Sequence, residues 1–144
     1  MIVVVCSAVI QKGDSFLMVK EFKPSAAGKW GLPGGKVEEG ESLYDTVKRE
    51  VQEETGYTVT VEKLLSITNK PKTHEGNTVI RFVFQCELYG QPTSTGEHEH
   101  QFLTVAEVEK IADQGLIRGQ EVVPILKKAA VELAEGSDDL LEIL

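Results

Sequence analysis

The chain predicts one mixed domain of class α/β (α+β), and three observations carry that prediction. Its 144 residues, 41% of them hydrophobic, suffice for a single core, since a domain of about this length buries ~70% of its unfolded surface. Three apolar, β-branched runs, 2–10, 58–68 and 78–88, read as strands. Between and after them, 42–55, 106–113 and 124–135 carry helical spacing with start and stop signals.

The run Ile2–Ile10 lacks a basic leader and falls far short of the ~20 residues a membrane span needs, so it is a buried strand. The turn Lys12-Gly13-Asp14 folds it back onto Phe16–Val19 as a hairpin. From Lys20 to Lys36 the chain reads as irregular, with Pro24, Gly28, Pro33, Gly34 and Gly35. Ser42 with Asp45 three residues on is a variant capping box, and Gly56 suits the residue that ends the helix. Strands over 58–68 and 78–88 flank a polar loop around Pro71 to Asn77, a short strand covers 102–105, and Pro124 opens the last helix at its first position. The domain is expected to span 1–136. Residues 137–144, with Leu140, Leu141, Ile143 and Leu144, form a tail expected to dock on the body or on a second copy, as in a homodimer.

Charge is unevenly placed. Lys and Arg number 15 against 23 Asp and Glu, a net charge of −8, which argues against gripping a long nucleic-acid duplex. The segments 35–54 and 132–144 together account for the whole excess, and a divalent cation is to be sought there first. Cys6 and Cys86, far apart within apolar runs and without a CxxC pattern, read as two buried thiols of a reducing, cytoplasmic compartment.

The decisive segment is Gly35–Tyr57. On a helical wheel Glu50, Glu53 and Glu54 share an arc of about 100°, with Val47, Val51 and Tyr44 directly beside them. Carboxylates so close repel one another, and a Mg²⁺ or Mn²⁺ ion, which takes hard oxygen ligands, would offset that repulsion. A Glu-rich helix is more often a solvated face with Arg49 paired to Glu53 at i,i+4. The spacing overrides that plainer reading. Gly35, Glu41, Arg49, Glu50, Glu53, Glu54 and Gly56 satisfy G-x5-E-x7-R-E-U-x-E-E-x-G at every fixed position, with Val51 as the aliphatic U. Chance agreement is on the order of 10⁻⁸ per window.

This segment resembles the signature of the Nudix hydrolase (MutT-like) family, departing from it only at Tyr57, where an aliphatic residue is usual. The resemblance implies a mixed β-sheet sandwiched between helices and the hydrolysis of a nucleoside diphosphate linked to another moiety. It implies Mg²⁺ (or Mn²⁺) held by Glu50, Glu53, Glu54 and the Gly34 carbonyl, with Glu50 or a loop carboxylate as general base. Arg49 and Glu41 would orient the other carboxylates. A further acid expected before an aromatic is either Glu97 or Glu99, ahead of Phe102. Lys20, Lys23, Lys36 and Arg81 are candidates for phosphate contacts, Lys29 with them, and Trp30 and Phe22 for stacking on a base. His98 and His100 alternate as zinc ligands can, but no third ligand is spaced for them. The competing class is a Nudix-like module that binds a nucleotide without hydrolysing it.

Overall fold

The computed structural model describes residues 1–24 and 26–135. Among these the order is β1 (Ile2–Lys12), β2 (Ser15–Lys20), β3 (Trp30–Gly31), β4 (Gly34–Lys36), α1 (Leu43–Thr55), β5 (Val59–Lys70), β6 (Thr78–Leu88), β7 (His100–Thr104), α2 (Val105–Asp113) and α3 (Val122–Glu135). The expected tail, 137–144, lies outside the described residues.

β1 is the spine of a mixed sheet. Its first part runs parallel to β6, from Ile2 opposite Thr78 to Ile10 opposite Cys86, and antiparallel to β4, with Cys6 opposite Gly35. Its end turns through Gly13, whose φ of 63° suits glycine, into β2. β2 pairs with β7 and β3, and β5 closes the other side against β6 with two irregularities in register.

Because successive strand residues point to opposite faces, this sheet feeds two cores. Ala8, Ile10, Leu17 and Phe84 pack with Val47 and Val51 of α1, while Val9, Met18 and Val83 pack with Val108 of α2 and Leu126 and Ala129 of α3. The expected sandwich is thus observed. Both cysteines are free thiols buried in the α1 core, and burial pushes Cys6 up to about 11.

Beyond shifts of one or two residues at element ends, two details differ from the sequence expectation. The stretch Lys20–Lys36 is not wholly irregular, because β3 and β4 lie in it as two- and three-residue strands that recruit backbone partners from β2 and β1. Such short pieces have no periodicity to read. The last helix begins at Val122, placing Pro124 at its third residue rather than its first. Proline is tolerated there because the first-turn N–H groups have no intrahelical acceptor.

Candidate active site

α1 begins where Ser42 accepts from the Asp45 N–H at 3.0 Å and the Asp45 carboxylate accepts from the Ser42 N–H, and it ends on Gly56 in the left-handed region. Val47 and Val51 are fully buried, so the wheel fixes where the acids go. Glu50 and Glu54 lie at the rim with side chains 16% and 13% exposed, and Glu53 stands half-exposed beside them.

Arg49 organises this rim. Its Nε donates to Glu41 Oε2 at 2.7 Å and its Nη2 to Glu41 Oε1 at 3.0 Å, a bidentate fork. Nη1 donates to Glu50 at 2.9 Å and to Glu53 at 3.2 Å, and Nη2 to the Lys36 carbonyl at 3.1 Å. The i,i+4 pair with Glu53 therefore exists, as one arm of a larger array. The Arg49 hydrogen bonds and the Glu38 N–H hold Glu41 down to about 2.

Glu54 is in the opposite condition. Burial pushes it up to about 8, and the nearby Glu50 charge adds to this, although its Oε1 accepts from the Gly34 N–H at 2.9 Å. Burial also raises Glu50, against the pull of Arg49. Two partly buried carboxylates therefore resist being charged together, the condition a hard divalent cation relieves. Glycine is required at position 34, where a Cβ would overlap the Cys6 carbonyl, and a Cβ on Gly35 would displace the Glu50 carboxylate. Among the described residues no three acidic, His or Cys side chains stand together as a closed metal cage. The donor set is nonetheless all carboxylate and carbonyl oxygen, which fits Mg²⁺ or Mn²⁺ better than zinc.

The end of α1 holds the other acidic loop. Helix-terminal carbonyls lack intrahelical partners, and here Gly56 O accepts from Thr93, Glu53 O from Glu97 at 2.9 Å and Glu54 O from His98 at 3.0 Å. Gly96 has a φ of 74° and lies so close that a Cβ would meet the Glu54 carbonyl. Of the two candidate acids in this loop, Glu97 lines the cleft. Glu99 is exposed and sits 3.8 Å from Lys20 Nζ.

The cleft has a volume of about 520 Å³. Gly34, Gly35, Glu50, Glu53, Glu54 and Glu97 line it, and so do Lys23, Lys36 and Arg81. Lys20 and Trp30 do not. Trp30 packs against the α2/α3 core with the Lys20 ammonium 5.8 Å from its ring centroid. His98 and His100 do not converge as zinc ligands. His98 Nδ1 faces the Lys20 carbonyl at 3.2 Å, and His100 Nδ1 the His98 carbonyl at 2.9 Å.

The remaining lining combines Arg81, expected from the sequence, with Glu121, Arg118 and Glu21, which the sequence did not single out. Arg81 Nη1 donates to Glu121 at 2.9 Å, and Lys70 joins the same carboxylate at 3.1 Å. Arg81 Nε is buried with no partner among the described residues. Arg118 donates to Glu21, a carboxylate that is 6% exposed, at 2.9 Å. Partners 40 and 97 positions apart leave no local spacing to detect. For Glu121 a local signal does exist, since it stands immediately ahead of the last helix, where a carboxylate favours the N-terminus.

Comparison with known proteins gives a family model, described as the NUDIX domain, matching residues 1–124. The chain is 34% identical over 143 residues to putative nudix hydrolase 1 of Caenorhabditis elegans, covering 94% of this chain and 37% of that protein. It is 32% identical over 111 residues to an ADP-ribose pyrophosphatase of Methanocaldococcus jannaschii, covering 76% of this chain and 66% of the relative. The chain thus spans between about a third and two thirds of these relatives' lengths. A solved NUDIX hydrolase from Nitrosomonas europaea superposes with a TM-score of 0.84 and 27% identity, covering 100% of this chain and 96% of that one.

Proposed function

The chain belongs to the Nudix hydrolase family, and from that premise we propose that it hydrolyses a diphosphate bond in a nucleoside diphosphate linked to another moiety. The observation that carries this reading is the cleft itself, with the Glu50, Glu53, Glu54 and Glu97 carboxylates and the Lys23, Lys36 and Arg81 cations lining one space. An anionic diphosphate needs both: cations to neutralise its oxygens, and acids to hold a metal.

Glu50, Glu53, Glu54 and the Gly34 carbonyl would hold Mg²⁺ or Mn²⁺, with Glu97 as the further acid. When bound, the ion would neutralise phosphate oxygens and lower the pKa of an attacking water. Arg49 keeps Glu50 and Glu53 aimed and, through its fork on Glu41, is itself fixed. Val5, Leu32, Val122 and Ile125 line the cleft beside the charged groups. Apolar lining of this kind restricts water and strengthens charge interactions. Lys23 and Lys36 also line the cleft and are available to phosphate oxygens.

A panel of ADP-ribose, sugar nucleotides, deoxynucleoside triphosphates, dinucleoside polyphosphates and capped RNA, run with and without Mg²⁺, tests the proposal. Metal-dependent release of a nucleotide product is expected with at least one member. It should be abolished in Glu53→Gln and in Glu54→Gln. Tight nucleotide binding without product across the panel would replace hydrolysis with a sensing role.

A further inference from the structure

Glu21 follows β2 at a position where a buried carboxylate needs an explanation, and none of the metal-side residues uses it. Its Oε1 accepts from the N–H groups of Phe22 at 3.0 Å and Lys23 at 3.1 Å, and its Oε2 from Arg118 at 2.9 Å. Its backbone joins both ends of the same loop, with Glu21 N–H donating to Lys29 O at 2.8 Å and Gly28 N–H to Glu21 O at 2.9 Å. Arg118 is anchored in turn, because its N–H donates to the Trp30 carbonyl at 2.7 Å and its side chain lies over Gly31, which has no Cβ to obstruct it.

The two residues this carboxylate grips, Phe22 and Lys23, both line the cleft. Phe22 is 65% exposed, unusual for a phenylalanine beside a core. One side of its ring leans on His98 at a centroid distance of 4.7 Å and an interplanar angle of 42°. His98 in turn faces Glu54, Nε2 to Oε2, at 3.7 Å. An aromatic ring left in solvent, backed by a second ring and standing next to the carboxylate wall, is a stacking surface for a planar group.

We propose that Glu21 and Arg118 form a positioning latch that fixes Phe22 as the platform for the substrate's aromatic base. Lys23 is set by the same carboxylate at the cleft edge. The latch acts through Phe22 and not on the reacting phosphorus, so its loss should weaken substrate binding more than the chemical step. This rests on the nucleotide reading above, and the experiment separates the two.

Steady-state kinetics on the best substrate of the panel, using the full chain, compare wild type with Glu21→Gln, Arg118→Met, Arg118→Lys and Phe22→Leu. Glu21→Gln and Arg118→Met are expected to raise KM about tenfold with a much smaller change in kcat. Arg118→Lys should recover part of that loss, since an ammonium can still meet the Glu21 carboxylate. Phe22→Leu should raise KM similarly, and adding Glu21→Gln to it should cause little further change, because both act through one ring. Should Glu21→Gln lower the thermal midpoint, Arg118→Met, at a side chain 43% exposed, carries the test. Unchanged KM in Arg118→Met, or full additivity of Phe22→Leu with Glu21→Gln, would overturn the latch. Absence of turnover in wild type on every nucleotide would instead refute the nucleotide reading.

Discussion

Glu54 is the side chain where burial and charge conflict most openly. Its folded pKa, about 8 against an ordinary 4.5, means the metal-free native protein keeps a proton that the unfolded chain has released across that interval. The associated stability is complete below 4.5 and is lost as pH rises through 8, at on the order of 1.4 kcal/mol per pH unit in between. Glu54→Gln removes this dependence. In metal-free denaturant titrations the variant should gain on wild type steadily as pH climbs through that window, while losing metal-dependent turnover. Arg49 makes a second prediction. Lysine cannot fork onto Glu41 while reaching Glu50 and Glu53, so Arg49→Lys should lower kcat about ten- to a hundredfold with the thermal midpoint moved little.

α1 shows how a helix can be legible at its ends and still need other segments to work. Ser42, Asp45 and Gly56 mark its limits through local hydrogen-bonding chemistry, and the observed Leu43–Thr55 agrees with the expected 42–55. Ser42→Ala should cost about 1 kcal/mol, read as a lower thermal midpoint. What the helix alone does not reveal is the use of its last carbonyls. These hold the loop bearing Glu97, and Gly96 is the closest point of that contact. Gly96→Ala meets both a positive φ and the Glu54 carbonyl, so it should cost about 1–3 kcal/mol. The same change should weaken Mg²⁺-induced stabilisation in a thermal-shift titration, because Glu97 moves with the loop.

The whole domain rests on one sheet with a core on each face. Ile10 belongs to the α1 core and Ile125 to the α2/α3 core. Ile10→Val and Ile125→Val should each cost about 0.5–1.5 kcal/mol, and the double variant should lose the sum to within about 0.5 kcal/mol. Urea unfolding midpoints would measure all three. The cleft lies where both halves meet, taking Glu50, Glu53 and Glu54 from α1 and Val122 and Ile125 from α3. Ligand binding should therefore stabilise both halves together.

Strand runs, helix caps and the acid–arginine spacing were readable in the chain because each depends on neighbours within a turn or two. Alternation places Ala8 and Ile10 opposite Val9, and the wheel sets Glu50 and Glu54 beside Val47 and Val51, before any long-range contact forms. The pairs Arg118 with Glu21 and Arg81 with Glu121, the preference for Glu97 over Glu99 in the cleft, and the withdrawal of Trp30 into the core were decided only on folding. They join segments far apart in the chain, whose meeting depends on strand order and loop path. No local periodicity encodes such a meeting. The α1 carboxylates of the cleft are therefore written as a motif, whereas the pairings among its other lining residues exist only as tertiary structure.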